Sequence, residues 1–192
     1  GWVYELDGAL AARPYAEPAF DDVPKADCGL LPISVAEGYG LIFAQGRGGE
    51  GLTADGALCG AESELAGYSL ETCVHVESRI HEWDFNWKLV LDTFTEAYHI
   101  RFLHRQSIAP AYLSDLSLFD SFGPHPRMIG LLKTALAELE KPEEEWRLLP
   151  HGTTQYIFMP SGLITWQRDH VELWRVTPLS PRRSPPSTGT RS

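Results

Sequence analysis

Asp92, Glu96, His99 and His104 are the side chains of this sequence whose types and spacing could do metal or acid–base chemistry. Asp92, Glu96 and His99 fall at i, i+4 and i+7, which places them on one face of a helix. Carboxylates four apart on a helix repel by roughly 0.2–0.5 kcal/mol. Their placement therefore answers to something other than helix stability.

His99 and His104 are five residues apart. In a regular α-helix five residues turn about 500°, so the rings diverge by about 140° and stand about 7.5 Å apart along the axis. Both reach one metal, at about 2.1 Å from each nitrogen, only where the helix ends or widens between them. A single π-type turn would do so. Seven histidines in 192 residues give such a spacing by chance in about one chain in four. Spacing alone leaves solvated or hydrogen-bonded histidines open as the plainer reading.

The helix that must carry these groups runs over Asn86–His104, NWKLVLDTFTEAYHIRFLH. Trp87, Val90, Leu91, Phe94, Ala97 and Tyr98 recur at helical spacing with no Gly or Pro between them. This stretch resembles the iron-binding segment of Rieske non-haem iron oxygenases, the large subunits of aromatic-ring-hydroxylating oxygenases. The family pattern falls here on Asn86, Trp87, Lys88, Asp92, Phe94, Glu96, Tyr98, His99 and His104. The resemblance implies that His99 and His104 ligate a mononuclear Fe(II) in a site of two histidines and one carboxylate. It implies that Glu96 links this iron to the histidine of a neighbouring subunit's Rieske cluster. Many members carry Asp there, and others, including oxygenases acting on quaternary amines, carry Glu, so Glu96 does not name a substrate. Tyr98 and Asp92 are candidates to support the ligands, with a surface or core role an equal alternative for each. Trp87 reads as core.

Composition bounds the rest. A chain of 192 residues can bury one good core or hold one domain plus part of another. The net charge of −10 argues against a nucleic-acid or anionic-membrane partner. No run of 18 apolar residues exists to span a bilayer, and no signal peptide is expected. Cys28, Cys59 and Cys73 are odd in number and form no CxxC pair, which suits a reducing cytoplasm.

Gly1–Gly8 alternates like a strand entering an Asp-Gly turn. In the oxygenase family a stretch similar to GWVYELDG directly follows the second Cys-x-x-His pair of the Rieske domain, so the cluster ligands would lie upstream. Residues 1–45 are then expected to be the end of an all-β Rieske domain, with strands in Asp21–Cys28, Gly29–Val35 and Gly40–Ala44. Residues 46–60 read as a Gly-rich linker. Residues 61–179 are expected to form the truncated iron-binding domain. There Leu70–Ile80 alternates as a half-buried strand, with His75 and His81 on its solvated side. Tyr112–Phe122 lacks a clean period, and could line a pocket or cover the core. Met128–Leu139 has helical spacing, and the acidic patch Glu138, Glu140, Glu143–Glu145 reads as a solvated face. Strands are expected at 153–159, 163–167 and 170–177, with Phe158, Ile164, Trp166, Leu173 and Val176 facing a core or pocket and a two-residue turn at Arg168-Asp169. Strands, a long helix and further antiparallel strands make the fold class α+β. The resemblance makes it the helix-grip (START/Bet v 1-like) catalytic domain.

Residues 180–192, SPRRSPPSTGTRS, read as disordered. Nothing there resembles the family's C-terminal helix, which supplies an Asp as third iron ligand; Asp169, the nearest downstream acid, sits on a turn. The parent is accordingly expected to hydroxylate a small organic substrate, an aromatic one foremost, with dioxygen. Electrons would come from NAD(P)H through a reductase, with or without a ferredoxin, and a Rieske 2Fe–2S cluster, in a homotrimer or heterohexamer. A non-catalytic helix-grip module for apolar ligands and a zinc hydrolase using His99, His104 and Glu96 stay open beside it. Because Cys73-Val74-His75 is this sequence's one Cys-x-His pair and no Cys-x-x-His pair accompanies it, the four ligands of a Rieske cluster are not assembled, and reconstitution with iron and sulfide should give no visible cluster absorption. Stoichiometric labile sulfide would show that the cluster ligands lie within it.

Overall fold

The computed structural model describes residues 1–46 and 51–179, with residues 17–18 and 184–191 traced by backbone alone. It has two compact units, Gly1–Ala57 and Leu58–Ser192. In the first, Val3–Tyr4 (β1) pairs antiparallel with Leu10–Ala12 (β2). The Asp7-Gly8 turn between them is closed by Asp7 Oδ1, which accepts the Ala9 N–H at 2.9 Å. Gly8 sits at φ 88°, where a side chain would be strained. Ala16–Ala19 (α1) follows. Ser34–Gly38 (β3) and Leu41–Gln45 (β4) make a second hairpin through Tyr39 and Gly40, both at positive φ as a tight hairpin turn requires. The strand expected in Asp21–Cys28 is instead a 3-10 turn at Lys25–Cys28. Arg13 explains it: the guanidinium takes the carbonyls of Phe20 and Val23, so they serve a side chain rather than a ladder. Of the expected linker, residues 47–50 lie outside the described residues, and Ala54–Leu58 (α2) is helical with Leu58 fully buried.

The second unit begins with Glu62–Tyr68 (α3) and Glu77–Trp83 (β5). Lys88–Phe94 (α4) and Tyr98–Leu103 (α5) come next. Then follow Tyr112–Phe122 (β6), His125–Leu132 (β7), Gly152–Phe158 (β8), Gly162–Trp166 (β9), Val171–Arg175 (β10) and Ser184–Arg191 (β11). They form one seven-stranded antiparallel sheet in the order β5-β11-β10-β9-β8-β7-β6.

Strand alternation gives the sheet two working faces. On one, Ile157 and Leu163 are register partners and pack with Val90, Leu91 and Val176, while Trp83, Trp87, Phe94 and Trp174 close the cluster. This core holds α4 on the sheet. On the other face Tyr68 of α3 stacks on Trp166 at 4.3 Å between centroids. Its hydroxyl shares a hydrogen bond with the Tyr156 hydroxyl at 2.8 Å. Tyr156 donates in turn to Glu64, which also pairs with Arg127. Burial, then the bonds to Glu64 and Tyr68, push the Tyr156 hydroxyl well above its ordinary pKa. It is a neutral donor at all working pH.

Several expectations are corrected here. The strand over Leu70–Ile80 shortens to Glu77–Trp83, and its proposed buried face is exposed: Val74 and Val76 are about three-quarters accessible. His81, expected in solvent, instead stacks between Trp83 and Trp174, and that aromatic packing outbids the aliphatic alternation. The helix expected over Met128–Leu139 is strand β7 through Leu132 and a 3-10 segment, Lys133–Glu140. Its apolar run is buried between β6 and β8, where helix spacing and a continuous buried strand look alike. Residues 180–183 and 192 of the expected disordered tail lie outside the described residues, but 184–191 form β11, paired on both edges. The tail's composition describes side chains, whereas β5 and β10 recruit it by backbone N–H and C=O groups that would otherwise go unpaired.

Glu138, read as solvated, is 4% exposed. It accepts hydrogen bonds from Lys141 Nζ (2.8 Å), the Arg147 backbone (2.8 Å) and His151 Nε2 (3.2 Å). The Lys141 ammonium foremost, then the Arg147 amide, hold its carboxyl down at about 2. A pKa lower in the folded than the unfolded chain stabilises above the unfolded value, and that stabilisation is lost as pH falls through the folded one. The stability gap between the parent and Glu138→Gln should therefore be full above about pH 4.5 and shrink steadily toward pH 2 in acid unfolding followed by circular dichroism.

Candidate active site

The expected continuous helix is broken into α4 and α5, and the break builds the site. Thr93 Oγ1 donates to the Leu89 carbonyl at 2.7 Å, and Thr95 Oγ1 reaches back to those of Leu91 and Asp92. Hydroxyls that bond a preceding turn bend and weaken a helix, and α4 stops at Phe94. Asn86 starts it by accepting the Lys88 N–H at 3.0 Å.

Glu96 lies in the break. Its Oε2 accepts the His99 backbone N–H at 3.1 Å, satisfying one of the orphan donors of α5's first turn. Its Oε1 accepts the His99 Nδ1–H. Partial burial raises the Glu96 pKa, but the bonds from the His99 ring and backbone outweigh it and hold the carboxyl below the usual range. An ionised carboxylate can only accept, so Nδ1 carries a proton, and in the neutral ring the lone pair is then on Nε2. That is how carboxylate–histidine–metal arrangements set the ligating nitrogen.

His104 ends α5. It adopts φ −100°, ψ 24°, off the helix, and Ser107 Oγ lies 3.4 Å from its Nδ1. The turn back is held by its carbonyl, which accepts the N–H groups of Ser107 and Ala109, both at 3.1 Å. The two rings come to 5.4 Å between centroids at 69°. A ring centroid stands about 3.2 Å from a metal that its Nε2 ligates at about 2.1 Å, so two rings about 110° apart around one ion lie about 5.3 Å from each other. The centroid separation equals that spacing, and it arises where the helix ends at His104 and not through a π-turn. Among the described residues no group of three His, Cys, Asp or Glu side chains is disposed to hold a metal. Asp169 is exposed on its turn beside His170.

Glu96, His99 and His104 line a cavity of about 290 Å³ with Phe94, Ile100, Tyr112 and Met128. Its floor is polar: Thr153 and Gln155 of β8, Thr165 of β9, Gln167 beyond it, and Glu172 of β10. The sequence reading missed these. The signal was present, since they are the polar members of a period-two set whose apolar members, Ile157 and Leu163, lie buried on the same face. Asp92 is exposed and Tyr98 is 78% accessible, and neither lines the cavity. Trp87 packs against the core.

The chain belongs to the ring-hydroxylating oxygenase alpha-subunit family: the family's catalytic-domain model matches residues 70–186. The glycine betaine monooxygenase oxygenase subunit of Chromohalobacter salexigens is 24% identical over 95% of this chain and 48% of that protein. Putrescine 2-hydroxylase of Ralstonia nicotianae is 31% identical over 52% of this chain and 24% of that protein. Among solved structures, a quaternary ammonium Rieske monooxygenase superposes over the full chain and 51% of its own length, at TM-score 0.73 and 16% identity. Naphthalene 1,2-dioxygenase from Rhodococcus sp. does so at 0.66 and 21%, over 52% of its length. The chain spans about half the length of the proteins it matches end to end. No helix among the described residues is long and apolar enough to cross a membrane.

Cobalt(II), a visible-absorbing surrogate for iron(II), should bind the protein with imidazole-type d–d absorption. His99→Ala and His104→Ala should each weaken it by about a hundredfold. Equal binding by parent and both variants would show that the rings share no metal.

Proposed function

We propose that the parent protein is a Rieske-type oxygenase that hydroxylates a small organic compound with dioxygen at mononuclear Fe(II) held by His99 and His104. The observation that carries this is the Glu96–His99 pair with His104 beside it at 5.4 Å, over one cavity. The iron, when bound, supplies dioxygen activation. The chain's own residues present Nε2 of two imidazoles, fix the His99 tautomer through Glu96, and shield the substrate behind Phe94, Ile100 and Met128. In the same reading Glu96, 44% exposed at its side chain, relays electrons from a neighbouring subunit's Rieske 2Fe–2S cluster. Those electrons start from NAD(P)H and pass a reductase, with or without a ferredoxin, in a homotrimer or heterohexamer. The paired helices on the sheet support a helix-grip catalytic domain, and the two hairpins of residues 1–45 support the end of a Rieske domain. No disulfide joins the three cysteines, which suits the cytoplasm.

The aromatic substrate implied by the family at large finds less support: the two relatives matched by sequence are a glycine betaine monooxygenase subunit and a putrescine 2-hydroxylase. The zinc-hydrolase alternative needs a general base beyond its ligands, and Glu96 is already engaged by His99. The apolar-ligand module suits the largely apolar wall but gives no role to Gln155, Thr165 and Glu172.

Glu96→Gln in the parent carrying both metal centres keeps the side chain's shape and removes its charge. It should retain iron and a reducible cluster while single-turnover product formation falls by orders of magnitude. His99→Ala should lose the iron itself. Loss of iron in Glu96→Gln would show that Glu96 holds the metal, directly or through His99, and would overturn a relay-only role. Normal turnover with iron retained would make it an ordinary surface acid.

A further inference from the structure

Resting on the oxygenase reading for calling the ligand a substrate, we propose that Tyr112 is the wall that limits the size of molecule the cavity accepts, and that Gly130 positions it. Tyr112, Gly130, Thr153 and Gln167 all line the cavity that His99 and His104 line. Tyr112 opens β6 and is the register partner of Leu132 of β7. From there its ring crosses the sheet. A Cβ built on Gly130 of β7 would stand 3.3 Å from Tyr112 Cε1 and 3.6 Å from Cδ1. The hydroxyl reaches β8, where it bonds to Thr153 Oγ1, and Thr153 is the register partner of Gly130. Thr153 Oγ1 donates in turn to Gln167 Oε1 at 3.4 Å. That uses the threonine proton, so the tyrosine O–H donates in the other bond.

No backbone need explains the glycine. Gly130 is buried in a strand flanked by β6 and β8, and its φ is not positive. A glycine inside a strand weakens it and marks a close approach to the backbone. Ser117, Gly130 and Thr153 form one cross-strand row on the cavity face, and the glycine is a notch in that row. The ring of Tyr112 fills the notch. It is held at both ends, by the pairing of its backbone with Leu132 and by its hydroxyl on Thr153. Carbon atoms pack best about 3.5–4.0 Å apart, so a methyl at position 130 crowds the ring. Held at both ends, the ring yields by lifting off the sheet. The space on that side is the cavity, which holds about 290 Å³.

Calorimetry with cyclohexanol and the bulkier 1-adamantanol, two neutral alcohols, tests the wall on the protein and its variants. Both alcohols should bind the parent. Gly130→Ala should weaken 1-adamantanol at least tenfold and cyclohexanol less than threefold. Tyr112→Ala removes the wall and should shift the ratio of the two affinities at least tenfold toward 1-adamantanol. In the double variant the methyl has no ring to lift, so both affinities should match those of Tyr112→Ala within twofold. A merely structural role for Gly130 would lower the thermal midpoint and leave the ratio unmoved. The proposal is overturned by an unmoved ratio in Gly130→Ala, by a Gly130→Ala effect that persists in the double variant, or by a parent that binds neither alcohol. Tyr112→Ala leaves the glycine in place, and an unmoved ratio there overturns the wall even where Gly130→Ala fails to fold. Cobalt(II) binding by the same samples keeps the two readings apart. An unmoved ratio with intact metal binding refutes the wall alone; a ratio that moves as expected without metal binding refutes the oxygenase reading alone.

Discussion

One carboxylate holds the site together. Glu96 caps the backbone of α5 with one oxygen and fixes the His99 tautomer with the other. The backbone bond does not form unless the chain leaves helical geometry between Phe94 and Tyr98, and the threonine hydroxyls at the end of α4 promote that departure. The like-charge cost of Asp92 and Glu96 on a common helix face also disappears, because the two residues end up on different segments. A break that looks like a defect in an amphipathic helix is what frees Glu96 to cap α5, and the end of that short helix is what brings His104 to 5.4 Å from His99.

The sheet supplies the complementary half by parity. Along β8 and β9 the same face runs from Ile157 and Leu163, buried under α4, to Gln155 and Thr165, which line the cavity. Two residues of strand separate a dry core from a polar floor. The core must hold α4 in place for the cavity above the floor to exist, so packing and recognition share one set of backbone positions.

What could be read in advance followed from local chemistry. The hairpin strands β8, β9 and β10 are announced by alternation and by turns at Pro160–Gly162 and Arg168-Asp169, and the structure places them there, with Gln167 N–H donating to the His170 carbonyl at 2.9 Å. That the helix must end for His99 and His104 to approach each other followed from helical geometry, and α5 stops at Leu103. What was not legible depends on contacts far apart in sequence. Met128–Leu132 becomes a strand because β6 and β8 flank it. His81 is drawn in by Trp174, and Glu138 is claimed by Lys141, Arg147 and His151. The floor residues Gln155, Thr165 and Glu172 looked like routine polar positions until three registers aligned them.

The position of β11 between β5 and β10 bears on how the domain assembles. Its ladder with β5 joins Trp83 to Ser184 and Glu77 to Arg191, spans of 184 − 83 = 101 and 191 − 77 = 114 residues. Every other strand pair in this sheet is formed between neighbours in the chain. The hairpins can therefore zip early, whereas β5 is fastened last, after the ordering entropy of a loop of more than a hundred residues has been met. Until then Trp83 and His81 have no strand beside them, and the N-terminal end of α4 rests on a sheet still missing one edge.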